Sequence, residues 1–230
     1  MTEPNPLASI ETAWAMALDA ASPLRVPAPR ETFYASSIGH CYRKVIAERA
    51  GIPPLRPIDR RTQFKFWIGS VLGKEIAVKL ESVGFLLPDW TEKRFEVNGV
   101  SGKVDGYTEQ ILGGAVVEIK TADDRAVTKY ELPEHYAWQL QWYLMASGVK
   151  HGLILMVGKG QGIVKHQVIP ASLEWESKLK KEIDTLHFFW KQYTNTGTLP
   201  GHRHQFSWED KYCPYMDLEE ALATQHEEVG

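Results

Sequence analysis

Apolar residues recur with the spacing of an α-helix in several stretches of the chain, and turn-forming residues bound most of these stretches. One stretch begins after Pro133 and ends before Gly148, which suits a helix because proline is favoured at the start and glycine just past the end. The spacing predicts helices over residues 9–21, 41–50, 64–83, 134–147 and 171–194.

Shorter stretches are rich in β-branched and aromatic residues and are separated by turn residues, which is typical of strands. They cover residues 85–87, 93–97, 104–107, 115–121, 152–157 and 162–169. Helices and strands alternate along the chain instead of forming separate blocks. The pattern therefore predicts an α/β (α+β) fold, with a central mixed β-sheet flanked by helices.

Two of the predicted strands form a hairpin around the glycine pair at 113–114. Side chains alternate between the faces of a strand, so Glu118 and Lys120 share one face and their apolar neighbours share the other. Pairing across the hairpin would bring Asp105 beside Glu118. The sequence thus places two carboxylates and an amine on one side of a sheet.

This set of residues is suited to divalent-metal chemistry. Mg²⁺ and Mn²⁺ prefer oxygen ligands and keep open positions when few carboxylates bind them. Such an ion can activate water and stabilise charge on a phosphate, and a neighbouring lysine can orient or deprotonate that water or neutralise charge. A Glu-x-Lys tripeptide is also typical of a solvated surface ion pair, so the hydrolytic interpretation depends on its surroundings.

Composition excludes few classes of protein. The 230 residues carry a net charge of −3 and no apolar run long enough to span a bilayer, so we expect no membrane partner. The two cysteines, Cys41 and Cys213, are far apart and form no secreted disulfide framework. We expect a cytoplasmic protein, and the negative charge means that DNA contacts would depend on a local basic patch.

Such a patch is expected near the start of the predicted helix at 41–50. Ser36 and Ser37 precede this helix and Arg43 and Lys44 lie in its first turn, an arrangement that suits phosphate contact. The alternative is that a serine caps the helix and the basic residues are ordinary surface charges.

The ordered set of Glu75, Asp105, the Glu118-Ile119-Lys120 tripeptide and a later helix with Gln139 and Tyr143 resembles the PD-(D/E)XK nuclease superfamily. The likeness is to the branch of RecB-type, lambda-type and CRISPR-associated exonucleases, and it covers roughly residues 36 to 169. It implies a restriction-endonuclease-like core. The resemblance also implies a domain organisation: an N-terminal helix and linker over 1–30, a nuclease-like domain over 31–200, and a C-terminal tail over 201–230.

The resemblance implies a role for each matching residue. Asp105 and Glu118 would bind the metal together with the backbone carbonyl of Ile119, and Lys120 would position or activate water. Gln139 and Tyr143 match the family's Gln-x-x-x-Tyr element and, four residues apart on one helical face, can touch the same substrate or metal-bound water. Ordinary helix packing is the alternative for this pair.

The chain departs from the family pattern in two places. The metal-binding histidine of many relatives is absent after Gly69-Ser70; Glu75 would replace it, or is a solvated helix residue. Several relatives hold an iron–sulfur cluster on four cysteines, but only Cys41 and Cys213 are present, so we predict no cluster. Two alternatives remain for Cys41, His202, His204 and Cys213: these side chains bind zinc, or they are ordinary packed residues.

These features predict a Mg²⁺- or Mn²⁺-dependent deoxyribonuclease, an exonuclease acting on single- or double-stranded DNA ends. The expected setting is recombination, repair or phage DNA processing in a bacterial or phage-infected cell, with a homo-oligomer or a recombination protein as a possible partner. One alternative is a catalytically silent nucleic-acid-binding or interaction module on the same fold. Another is a restriction-type endonuclease, although no inserted recognition region is apparent.

Overall fold

A computed structural model describes residues 6–21, 28–56, 58–129, 133–203 and 213–216, with the side chains described from residue 12 onward. The helices in these residues are α1 (Pro6–Ala21), α2 (Tyr42–Ala50), α3 (Arg60–Ser82), α4 (Asp124–Thr128), α5 (Glu134–Ser147) and α6 (Leu173–Thr196). The strands are β1 (Phe33–Tyr34), β2 (Arg94–Val97), β3 (Val100–Lys103), β4 (Gly106–Thr108), β5 (Ala115–Ala122), β6 (His151–Gly158) and β7 (Val164–Pro170).

The strands form two mixed sheets, which confirms the predicted fold class but not a single central sheet. The smaller sheet has the order β1-β3-β2, with β1 parallel and β2 antiparallel to β3. The larger has the order β4-β5-β6-β7, in which only the β5–β6 pair is parallel. The chain passes from one sheet to the other at Val104 and Asp105, where the predicted strand over 104–107 is interrupted.

Strand β5 is buried on both faces, which explains its continuous apolar and β-branched character. On one face, Val117 and Ile119 pack with Ala77 of α3. On the other, Val116 packs against the core that α5 and α6 share. The parallel partner β6 is reached through α4 and α5, because a parallel pair needs a crossover connection.

Helix α5 is the central helix of the larger core, and its residues 137–144 are all buried. It ends where Gly148 adopts a left-handed φ of 72°, as the sequence predicted. Helix α6 covers the same core with an amphipathic face, and Leu179, Ile183 and Leu186 are buried along it.

Several predicted elements differ from the structure. Residues 85–87 form no strand: Leu86 is buried beneath Gly106, and the chain turns into a 3₁₀ helix at Pro88–Trp90. The two-residue β1 and the five-residue α4 were not predicted, because both are too short to show the periodic spacing of hydrophobic residues. The domain boundaries at residues 30 and 200 stay predictions.

In the part of the chain that the structure describes, no helix combines the length and the apolar character needed to cross a membrane.

Candidate active site

The antiparallel pairing of β4 with β5 places Asp105 next to Glu118. Gly106 lies opposite Val117 in the register, so the residue before β4 meets the next residue of β5. The Asp105 carboxylate accepts a hydrogen bond of 2.6 Å from the backbone N–H of Ile119. The hairpin turn depends on glycine, because Gly113 and Gly114 both have positive φ angles, of 78° and 139°.

Lys120 lies between β5 and α5 and is held by two oxygen acceptors. Its Nζ donates to Glu118 Oε1 at 2.6 Å and to Gln139 Oε1 at 2.8 Å. The same Nζ lies 5.0 Å from the centre of the Tyr136 ring. Glu118 and Lys120 therefore point to the α5 side of the sheet, as the alternation of side chains predicted.

The hydrogen bonds continue along α5 and return to the smaller sheet. Gln139 Nε2 donates to the Tyr143 hydroxyl at 3.1 Å. That hydroxyl donates to the backbone carbonyl of Lys103 at 2.7 Å. One network of hydrogen bonds thus joins four of the five residues predicted for catalysis, Glu118, Lys120, Gln139 and Tyr143, and the fifth, Asp105, lies beside it on the backbone N–H of Ile119.

The site holds two carboxyl groups and one ammonium group, and their pKa values are shifted. Burial and the neighbouring Glu118 carboxylate raise the pKa of Asp105 to about 8. Burial lowers the pKa of Lys120, but the charges of Glu118 and Asp105 outweigh this and the pKa is raised. Both shifts indicate that the fold holds two carboxylates close together with a single ammonium group.

One oxygen of this site has no partner. Glu118 is only 3 % exposed, and its Oε2 accepts no hydrogen bond from the described residues. An unpaired buried carboxylate oxygen is costly, and a hard cation shared with Asp105 would satisfy it. The residues present therefore fit a divalent ion, while the ligand role of the Ile119 carbonyl stays a prediction.

Glu75, the predicted substitute for the missing histidine, lies on α3. Its side chain is 59 % exposed and forms an ion pair of 3.4 Å with Lys79. Helix α3 packs on the face of β5 that carries Ile119, whereas Glu118 points to the opposite face. As a metal ligand, Glu75 would have to leave Lys79 and reach around the sheet, so its ligand role stays a prediction.

The predicted DNA-binding residues lie in two places. Ser36 and Ser37 do not cap α2, which starts after Cys41; they lie in the 3₁₀ helix Ala35–Ser37. Ser36 lines a cavity of about 270 Å³ that also includes Lys103 and Tyr143, so it borders the catalytic network. The other two predicted residues, Arg43 and Lys44, lie in the first turn of α2.

Gly102 is a residue of the site to which sequence reasoning assigned no role. A Cβ atom at this position would lie 2.8 Å from Cε1 of Tyr143 and 2.8 Å from Cβ of Ala35. The absence of a side chain therefore allows the Tyr143 ring to reach the backbone of the small sheet. A glycine inside a strand is a signal of such close approach.

The network predicts a moderate effect for Tyr143→Phe. We expect the DNA cleavage rate to fall by about 10- to 100-fold, because Gln139 and the Lys103 carbonyl lose their common partner and Lys120 is held less firmly. Rates on linear DNA would be compared with those of Tyr193→Phe, a matched change on α6. Equal rates for both variants would show that the hydroxyl has no positioning role.

Comparison with known proteins supports the fold. The sequence matches no protein-family model and no curated protein. The structure is similar to that of SSO0001, with a TM-score of 0.56, 19 % identity and coverage of 88 % of this chain and 94 % of that one. It is also similar to the alkaline exonuclease LHK-Exo of Laribacter hongkongensis, with a TM-score of 0.53, 12 % identity and coverage of 76 % and 93 %.

A second structure of LHK-Exo, in complex with dAMP, gives the same TM-score of 0.53 and 12 % identity, covering 70 % of this chain and 89 % of that one. The chain therefore has an exonuclease-like nuclease fold, as the resemblance in sequence predicted. At these identities the likeness establishes the fold, and the function has to be argued from the site.

Proposed function

We propose that this protein is a Mg²⁺- or Mn²⁺-dependent deoxyribonuclease that hydrolyses phosphodiester bonds from DNA ends. The observation that carries the proposal is the position of Asp105 next to Glu118, whose buried Oε2 has no hydrogen-bond partner among the described residues, beside the ammonium group of Lys120. The exonuclease-like fold is consistent with it but does not by itself imply the activity.

Asp105, Glu118 and the Ile119 carbonyl would hold the ion, and Glu75 would join them only by leaving Lys79 and the α3 side of the sheet. A bound Mg²⁺ or Mn²⁺ supplies a Lewis acid for the phosphate and a water of lowered pKa. The protein residues hold these ligands in place: β4–β5 pairing sets the separation of the two carboxylates, and the N–H of Ile119 fixes the orientation of Asp105.

Lys120 is held as a charged donor, not as a base. Its two acceptors, Glu118 Oε1 and Gln139 Oε1, both favour the ammonium form. An ammonium group has three N–H donors, so two are engaged and the third is available for a phosphate oxygen or the attacking water. Gln139 acts as a positioning residue because it holds both Lys120 and Tyr143.

The cavity beside Tyr143 gives the DNA strand a place to lie. Its lining combines the Ser36 hydroxyl with the basic side chains of Arg94 and Lys103. Those cations pair with Glu96 and Glu92, each at 3.3 Å, on exposed surface. Exposed pairs of this kind contribute little stability, so a phosphate group can replace the glutamates at small cost.

Action at DNA ends is the finer part of the proposal. LHK-Exo is an alkaline exonuclease whose structure is also known with dAMP, a deoxynucleoside monophosphate and thus the class of product that stepwise hydrolysis of DNA releases. By analogy, we assign this protein to recombination, repair or phage DNA processing.

The proposal is tested by incubating the protein with end-labelled linear DNA and with covalently closed circular DNA, each with Mg²⁺, Mn²⁺ or EDTA. We expect linear DNA to be degraded to mononucleotides with either metal and both DNAs to stay intact in EDTA. Nicking of circles would replace the exonuclease by an endonuclease. Binding without cleavage under all conditions would show a catalytically silent module and overturn the proposal.

A further inference from the structure

A second group of potential metal ligands lies outside the carboxylate network. It consists of Cys41, His202 and Cys213, and we call it the Cys-His-Cys cluster. One ligand atom from each of the three residues lies within 4.8 Å of those from the other two. The Cys41 sulfur and His202 Nδ1 are 3.7 Å apart. The two cysteines are only 0 % and 4 % exposed, so the donors meet inside the protein.

Three distant parts of the chain build this cluster. Cys41 is the residue immediately before α2, and His202 follows the end of α6. Cys213 belongs to a turn that main-chain contacts hold against the region after α2: the Arg56 N–H donates to the Pro214 carbonyl at 3.0 Å. Tyr215 strengthens this contact, since its hydroxyl donates to the backbone carbonyl of Ile52 at 3.0 Å.

The start of α2 stabilises negative charge at Cys41. In the metal-free protein only one of the two thiols is favoured as a thiolate, because the hydrogen bond between them lowers the pKa of Cys41 and raises that of Cys213. Apolar side chains, including Ala47 and Met216, surround the two cysteines and restrict access of water.

The identity of the donors selects among metals. Two thiolates and an imidazole are ligands of zinc, and sites of this kind hold Zn²⁺ in tetrahedral geometry. Two thiolates are too few for a four-cysteine iron–sulfur cluster. Mg²⁺ and Mn²⁺ prefer oxygen donors, so the ion of the active site would not compete for this cluster.

We propose that Cys41, His202 and Cys213 bind a structural zinc ion that fastens the segments 201–203 and 213–216 to the start of α2. The three side chains leave one tetrahedral position for a further donor. Cys41 and His202 are 161 residues apart in the sequence. The ion would therefore cross-link distant segments and limit the freedom of the unfolded chain, as other cross-links do.

The first test is the metal content of the full-length protein, purified under reducing conditions without chelators or a histidine tag. We expect zinc in equimolar amount with the chain, and loss of most of it in Cys41→Ser, His202→Ala and Cys213→Ser. His166→Ala, which removes an exposed histidine from β7, is the matched control and should keep its zinc. An equal zinc content in Cys213→Ser and the unmodified protein would overturn the proposal.

Because the cysteine variants can fail to fold, a second measurement uses the unmodified sequence. Zinc would be removed with a chelator and replaced by Co²⁺, whose absorption spectrum reports thiolate ligands and tetrahedral geometry. We expect both signatures, together with a rise in Tm on addition of Zn²⁺ to the metal-free protein. Absence of the cobalt–thiolate bands and of any Tm shift would overturn the proposal.

Two other outcomes would also overturn it. Equimolar or greater amounts of iron with inorganic sulfide would identify an iron–sulfur cluster. A Cys41–Cys213 disulfide whose reduced form takes up no zinc would identify a redox pair. The outcome for zinc is independent of the proposed nuclease function. Asp105→Asn should lose DNA cleavage but keep its zinc. An unmodified protein that is purified without zinc, takes none up and still degrades DNA would refute only the zinc site.

Discussion

Replacing Asp105 with asparagine is expected to reduce DNA cleavage by on the order of 10³-fold or more, because a bound ion contributes several kcal/mol of charge stabilisation. Asparagine keeps an oxygen that can accept the hydrogen bond from Ile119 but brings no charge to the ion. The variant therefore tests metal binding without disturbing the local structure, because the hydrogen bond between residue 105 and Ile119 is kept.

The same substitution is expected to leave the metal-free protein at least as stable as the unmodified one. Asp105 lies beside Glu118, and burial together with this like charge raises its pKa. A carboxyl whose pKa is raised by the fold costs folding free energy at neutral pH, and asparagine removes this cost while the Glu118–Lys120 pair stays intact. Thermal unfolding without divalent ions, and cleavage of linear DNA with Mn²⁺, would be measured for this variant and for Asp184→Asn, an exposed control on α6.

Cleavage by Asp105→Asn within tenfold of the unmodified rate would contradict our assignment of the metal ligands. A large fall in its Tm would instead show that the Asp105 charge is required by the fold. The two measurements therefore distinguish a ligand from a structural carboxylate.

Replacing Lys120 with methionine is expected to impair both activity and stability. Cleavage should fall by about 10²- to 10⁴-fold, in the range of a lost proton-donating or charge-stabilising group. In the metal-free protein, the side chain of Glu118, which is buried, loses its cationic partner. An unpaired buried charge of this kind costs about 3–5 kcal/mol of folding free energy, and a bound divalent ion should restore part of the loss.

The measurement is the Tm of Lys120→Met with and without Mn²⁺, together with its cleavage rate. The matched control is Lys178→Met, which removes an exposed lysine that pairs with Glu174 on the surface of α6. A metal-free Lys120→Met protein as stable as the control would show that Glu118 is protonated or solvated in solution. A rate equal to that of the control would exclude Lys120 from catalysis.

The two substitutions make opposite predictions for the metal-free fold, although both predict a large loss of cleavage. Removing the Asp105 carboxyl removes the cost of its raised pKa, whereas removing the ammonium group leaves the buried Glu118 carboxylate without a cation. A common direction of the Tm shifts would contradict the charge balance that the structure shows at Asp105, Glu118 and Lys120.

Local sequence patterns determined the elements whose signals are strong and continuous. Helix α5 spans Glu134–Ser147 as predicted, because Pro133 and Gly148 mark its ends and its residues suit a helix throughout. Strand β5 extends one residue beyond the prediction, since its β-branched run follows a glycine turn. The two faces of β5 follow directly from the alternation of side chains.

Short elements and the contacts of isolated side chains were not predictable in this way. Ser36 precedes a helix in the sequence, but the structure places it in a separate 3₁₀ helix beside Tyr143, while Cys41 starts α2. Glu75 lies in a helix as predicted and forms the i,i+4 ion pair with Lys79 that a helix allows, but which face of α3 packs on the sheet depends on the tertiary structure. Neither fact has a local signature.

The sequence by itself determined that an acid and an amine leave the same face of β5, because strand geometry requires it of Glu118 and Lys120. It also implied the neighbouring acid, since the hairpin turn sets the register at Asp105. Only the tertiary structure decided that Gln139 and Tyr143 complete this network and that Cys41 meets His202 and Cys213. Those contacts join residues far apart in the chain, and packing of the whole core, not any local preference, brings them together.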